Sequence, residues 1–244
     1  MVEFPFSNLF RIRGSEETME KRVLSRSIVS VGILVFFSLA ALAQNSKDGV
    51  ITINGGRTAV YMKPPSQVST PAIPSDSKLV KIYSNLGMGK SVYNPSVGNG
   101  IIGPKAGQKF PEWIGCGFRP KADHTVTEIQ VGVTYVQGTN GVTLSLNADN
   151  QDRPGKALHT WQFANLPDFG TCCTLQTGKL TTGIKLKRGK LYWVVLRTSA
   201  KTQDTWDVWN YDINGQQGPW SNNIGSGWSK GATQQLNAFG VFGQ

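Results

Sequence analysis

Thr127 to Leu146 reads TEIQVGVTYVQGTNGVTLSL, and its period is two. Ile129, Val131, Val133 and Tyr135 fall on one face, and Glu128, Gln130 and Thr134 on the other. Successive side chains of a pleated chain point to opposite sides, so this alternation predicts a half-buried strand. Gly138-Thr139-Asn140-Gly141 follows, a turn rich in residues that tolerate positive φ. Val142, Leu144 and Leu146 then alternate with Thr143, Ser145 and Asn147. Two alternating runs joined by such a turn predict a β-hairpin.

The same pattern continues outward. Asp152-Arg153-Pro154-Gly155 breaks the chain before a strand through Leu158, Trp161 and Phe163. Further strands are expected at Ile184–Lys187, Leu191–Arg197, Trp206–Tyr211 and Leu236–Phe242. Leu191 to Leu196 is apolar on both faces, which places it mid-sheet with cover on both sides. No amphipathic helix of normal length follows Ala43. Many short strands with regular turns predict an all-β fold, an antiparallel two-sheet sandwich of jelly-roll type over residues 78–244. Ile129, Val131, Val133, Val142, Leu144, Leu146, Trp193 and Val195 should be buried.

The segment before that unit divides in two. Ile28 to Ala43 is an uncharged apolar run preceded by Lys21, Arg22 and Arg26 and closed by Ala41-Leu42-Ala43. A basic n-region, an apolar h-region and a small-x-small site predict a signal peptide over 1–43, with Met19 as an alternative start and Gln44 as the first mature residue. The run is short of the roughly 20 residues that span a bilayer, and an uncleaved signal anchor is the other reading. Either way the bulk of the chain is exported, to the cell exterior or a periplasm, and cleavage would leave no stable membrane anchor. Residues 44–77 are polar, with one apolar run at Val50-Ile51-Thr52-Ile53 and the Pro/Ser-rich stretch KPPSQVSTPAIPSDS at 63–77, which predicts a linker.

Charge and cysteine content agree with export. The net charge is +10; five of 25 Lys/Arg and four of 15 Asp/Glu fall in residues 1–43, which leaves +9 for the remainder. A basic exported domain is drawn to polyanions. The densest run, Lys185-Leu186-Lys187-Arg188-Gly189-Lys190, predicts a turn whose charge solubilises the surface. Cys116, Cys172 and Cys173 are an odd set in an oxidising compartment. Cys116 could pair with one of the adjacent cysteines, or Cys172 could pair with Cys173.

Three stretches carry a resemblance. GTNGVTLSLNADNQDRPGKALHTW, LPDFGTCCTL and LKRGKLYWVVL are similar to a group of secreted bacterial β-sandwich domains known as choice-of-anchor domains. The shared pattern is an alternating strand, a D-x-x-x-x-P-G turn, another strand, and a Gly followed by a Tyr-Trp strand, over residues 110–244. The resemblance implies the sandwich, brings no activity with it, and favours the vicinal Cys172–Cys173 bridge. The chain ends in a strand without a sorting motif, which predicts a released domain.

Chemistry is sparse. His124 and His159 lie in different segments and predict packed or surface roles. The cysteine spacing matches no zinc site, and no cofactor motif is present. Asp149-Asn150-Gln151-Asp152 lacks the glycine and distal glutamate of an EF-hand and predicts a capped turn. Asp204 with Asp207, or Asp207 with Asp212, are the carboxylate pairs a glycosidase would need across a cleft. No nucleophile, base and orienter set is evident, so a non-catalytic role is expected.

The Trp-rich segment stands out. Trp206, Trp209, Trp220 and Trp228 are interleaved with Tyr211 and amides such as Asn222 and Asn223. Indole faces take the C–H face of a sugar ring and amides bond its hydroxyls. The expected function is a secreted binding domain for carbohydrate or cell-envelope polymer, built on Trp220 and Trp228 with Tyr211, Asn222 and Asn223. Its rivals are a structural or adhesive sandwich without a small ligand and, third, a glycan-active enzyme. Export argues against nucleic acid as a partner.

Overall fold

A computed structural model describes residues 49–54, 57–62, 79–199 and 201–244. The expected signal peptide, its cleavage site and the Pro/Ser-rich linker lie outside the described residues. In chain order the strands begin with β1 (Gly49–Asn54), β2 (Arg57–Met62), β3 (Val80–Ser84), β4 (Gly98–Ile102) and β5 (Trp113–Phe118). β6 (His124–Val131), β7 (Val133–Gln137), β8 (Gly141–Asp149), β9 (Pro154–Ala164) and β10 (Gln176–Leu186) follow. β11 (Tyr192–Thr198), β12 (Trp206–Asn210), β13 (Gln217–Asn223), β14 (Ala232–Gln235) and β15 (Phe239–Gly243) complete the set. No helix occurs among the described residues.

The strands form three antiparallel sheets. Sheet A runs β1-β2-β4-β12-β7, sheet B runs β10-β6-β15-β3, and sheet C runs β14-β13-β5-β11-β8-β9. The apolar run at Val50–Ile53 lies in β1, which pairs with β2, and β2 joins sheet A through Ala59 opposite Asn99. Sheet A therefore takes in strands from the segment that the sequence reading set apart from the sandwich.

Sheets A and B meet at Gly132 and together face sheet C. Gly132 N–H donates to Ala238 O at 3.1 Å, and Gly132 O accepts from Asn210 N–H at 2.9 Å. A side chain at Gly132 would run into the Tyr93 ring, with its Cβ 2.5 Å from Cδ1. One continuous alternating segment is thereby broken into β6 of sheet B and β7 of sheet A. A seam of buried amides closes the junction. Asn85 Nδ2 donates to Asn237 O at 2.8 Å, and Asn85 Oδ1 accepts from Phe239 N–H at 2.7 Å. Thr134 Oγ1 donates to Asn210 Oδ1 at 2.9 Å, and Trp209 Nε1 donates to Ala238 O at 2.9 Å.

The hairpin expected at Gly138–Gly141 does not form. β7 pairs with β12 in sheet A, whereas β8 pairs with β11 and β9 in sheet C. The turn carries the chain from one layer to the other. A turn sequence fixes a reversal of direction but not the partner of the strand that leaves it.

The main core lies between the layers. Sheet C contributes Ile114, Cys116, Phe118, Val142, Leu144, Leu146, Val194, Leu196 and Trp220, and the opposing layer contributes Ile101, Ile129, Val131, Val133, Trp209, Phe239 and Val241. All eight positions expected to be buried are 0–1 % exposed. Trp193 and Val195 belong to a separate cluster with Leu191, on the other face of sheet C.

Candidate functional site

That outer face of sheet C begins from the alternation of β11. Tyr192, Val194 and Leu196 enter the main core, and Leu191, Trp193 and Val195 point the other way. A strand apolar on both faces needs two covers. The second is supplied by the chain after β13, with half-buried Trp228 packed on the Trp193 cluster, and by the β8–β9 turn.

The turn is fastened at several points. Trp193 Nε1 donates to Asp149 Oδ1 at 2.8 Å, and Asp149 Oδ2 accepts from Asp152 N–H at 3.3 Å. Gly231 N–H donates to Asp152 O at 2.6 Å. Gln151 and Asp152 both hold positive φ, 55° and 59°, a conformation uncommon for residues with a Cβ and held only where the surroundings impose it. Asp149 thus caps its own turn, as the sequence suggests, and also binds the indole, which it does not. Glycine is needed where the covers approach the sheet: a Cβ at Gly117 would lie 2.7 Å from Pro219 Cβ and 3.1 Å from Leu191 Cδ1.

Between these covers lies a groove of about 160 Å³. Pro219 and the edge of Leu191 form its apolar floor over buried Trp193, Gly231 and Ala232 one wall, and Arg119, Asp152 and Thr233 its polar rim. Arg119 Nη1 donates to Gly189 O at 2.9 Å, which steadies the guanidinium. Among the described residues the ion pairs are Lys179 with Glu128 and Lys187 with Asp123, so Arg119 and Asp152 face the groove without a salt bridge to each other. A fixed donor fork, an exposed carboxylate and an apolar floor suit a small polyhydroxylated ring.

The five residues expected to form a glycan surface are not together. Trp220 is 5 % exposed, opposite Cys116, and points into the main core. Trp228 lies on the outer face of the same sheet, with its Cζ3 3.6 Å from where a Gly115 Cβ would stand. Strand parity separates the two indoles, and they cannot share a platform. Asn223 is bridged to Trp228, but it is buried, and its Oδ1 accepts from Gly225 and Gly227 N–H at 2.9 and 3.2 Å. Asn222 Nδ2 donates to Glu112 Oε1 at 3.3 Å. Tyr211, half-buried, is bridged to Asn237 at the sheet junction. Sequence reasoning missed Arg119, Asp152, Leu191, Pro219 and Thr233 as a group. Their one sequence signal is the double-faced apolar run beginning at Leu191, which announces a covered outer face without saying what covers it.

The other candidates separate similarly. Cys172 and Cys173 are joined as a vicinal disulfide, one of the two pairings open to the sequence, and Cys116 is a buried free thiol. Cys173 packs with Val92, Tyr93 and Ala238. His159 is exposed and sits edge-on to Trp161 at 4.6 Å. Asp204 Oδ1 accepts from Thr139 Oγ1 at 2.8 Å. Asp207 is fully buried; burial pushes its carboxyl up to about 8, against a smaller lowering by the Gly141 N–H. Asp212 accepts the N–H groups of Asn214 and Gln216, and burial raises it as well. Asp204 and Asp207 both bond the turn at 138–141, and Asp212 caps the loop that follows β12. No group of three or more His, Cys, Asp or Glu able to hold a metal occurs among the described residues.

Comparison with protein-family models, with curated proteins and with solved structures finds no match to this chain.

Proposed function

We propose that the chain is an exported, non-catalytic glycan-binding β-sandwich that seats a sugar unit of a polysaccharide or cell-envelope polymer in the outer-face groove of sheet C. The observation that carries this reading is the groove itself: an apolar floor of Pro219 and the edge of Leu191, backed by buried Trp193, beneath a rim of Arg119, Asp152 and Thr233. Its volume of about 160 Å³ is far below that of a drug-sized pocket and fits one ring of a chain that continues outside. The basic, apolar and small-x-small order of the N-terminal sequence and the oxidised cysteine pair support export.

The test is retention of the purified protein on a panel of neutral and acidic polysaccharides, with Arg119→Gln and Asp152→Asn as groove variants. Asparagine tolerates the positive φ of position 152. Binding in the micromolar to millimolar range is expected, weakened about tenfold by either substitution. Retention on no polysaccharide refutes the reading.

A structural or adhesive role has its own support. Trp193, Trp206, Trp209 and Trp220 are all buried, as they would be in a module whose indoles only close its core. Failure of every glycan together with saturable self-association would favour that reading.

A further inference from the structure

The basic run at 185–190 is joined in space by a second basic segment. β10 pairs with β6, which sets Lys185 opposite Thr125 and Leu186 opposite His124. Gly189 N–H donates to Pro120 O at 2.9 Å, and Arg119 Nη1 donates to Gly189 O at 2.9 Å. Asp123 closes the clasp: its Oδ2 accepts from Lys187 Nζ at 2.8 Å and its Oδ1 from Arg188 N–H at 2.8 Å. The pairing holds the Asp123 carboxyl below its ordinary range.

The result is one end of the sandwich that gathers Arg119, Lys121, Lys185, Lys187, Arg188 and Lys190, all exposed, with Asp123 as the acid among them. Like charges so concentrated repel one another, and a partner of opposite sign relieves that repulsion. A groove of about 200 Å³, lined in part by His124, Lys185 and Lys187, indents the same end. Arg119 belongs to both regions, since it rims the outer-face groove and bonds the basic turn. Leu191, on the groove floor, directly follows Lys190.

We propose that the groove and the basic end form one continuous track for an anionic polysaccharide, with a ring seated over Pro219 and the edge of Leu191 and the acid groups of neighbouring units on Lys121, Arg188 and Lys190. This rests on the glycan-binding reading and adds the class of glycan. A bilayer fits the basic end less well. Among the described residues, the exposed large apolar side chains are Val80, Met88, Leu158, Ile213 and Ile224; of these Val80, opposite Gly243, comes near that end, and one valine is too little to insert into a bilayer.

The experiment measures binding of the purified protein to polygalacturonate, dextran, poly-glutamate and phosphatidylglycerol vesicles. The wild type is compared with a Lys121→Gln, Arg188→Gln, Lys190→Gln triple variant and with Ala232→Trp, which fills the groove. Polygalacturonate should be preferred. Its affinity should fall about twentyfold or more between about 50 and about 200 mM salt, as release of counterions by three neutralised charges requires. The triple variant should lose about tenfold toward polygalacturonate with an unchanged melting temperature, and Ala232→Trp should erase the preference for polygalacturonate over poly-glutamate. Equal binding of dextran and polygalacturonate, or full affinity in the triple variant, overturns the track while leaving glycan binding intact. Poly-glutamate bound as tightly as polygalacturonate by the wild type overturns the seated ring. Vesicle binding without polymer binding replaces the proposal with a lipid surface. Binding of nothing removes this proposal and the glycan reading together.

Discussion

Replacing Asp207 with asparagine should remove a large part of the pH dependence of stability. The Asp207 side chain faces the interior from β12 and is fully buried, with one N–H contact from Gly141 at 3.4 Å. Its other oxygen, Oδ1, has no hydrogen-bond partner. Desolvation therefore dominates and raises the carboxyl from 3.8 to about 8. The folded state keeps its proton where the unfolded chain has lost it. The stabilisation is fully present below the unfolded value of 3.8 and is lost as pH rises through the folded value of about 8. The whole difference corresponds to roughly 6 kcal/mol, of which about 3.5 kcal/mol falls between pH ~5 and pH ~8. Asparagine keeps the shape, accepts from Gly141 N–H and does not titrate. Urea unfolding of both proteins at about pH 5 and about pH 8 measures the effect, with the difference between their pH slopes as the readout. The variant should be the more stable protein at the higher pH. Parallel slopes for the two proteins would show that Asp207 is solvated or paired and would refute the reasoning.

Other expectations concern packing, the seam and the thiols. Trp193→Ala should cost about 3–5 kcal/mol by denaturant unfolding, and Trp228→Ala, already half-exposed, clearly less. Asn85→Ala should cost about 1–3 kcal/mol, because it leaves Phe239 N–H and Asn237 O without partners at the sheet junction. Alkylation with mass detection should label nothing quickly in the native protein, Cys116 alone after unfolding, and all three cysteines after unfolding with a reductant. Burial pushes the Cys116 thiol far above its ordinary value, so its native labelling rate should change little between about pH 7 and about pH 9.

Side-chain period carried most of what the sequence revealed. It placed Ile129, Val131, Val133, Val142, Leu144 and Leu146 in the core and identified Leu191–Leu196 as a central strand, because burial on a sheet is a local consequence of pleat. It did not reveal strand partners. Gly132 divides one periodic run between two sheets without disturbing its parity, so the alternation looks the same on either side. The candidate site shows the same limit. Trp220 and Trp228 are eight residues apart in sequence and lie on opposite faces of one sheet. Arg119 and Lys121 come beside Arg188 through the bonds of Arg119, Pro120 and Asp123 to residues 187–189, far away in sequence. Composition pointed to a basic surface; only tertiary contacts gather it at one end.

The bond between Cys172 and Cys173 joins residues one position apart. It encloses essentially no chain, so it shortens no loop in the unfolded ensemble and supplies almost none of the entropy by which a long-range cross-link resists unfolding. The thermodynamic stability of this sandwich must come from its two layers of apolar packing. What the bridge contributes is shape: it replaces two thiols by one compact, apolar wedge against Val92, Tyr93 and Ala238. Breaking it should blunt that wedge and loosen the adjoining loops long before it threatens the sheets.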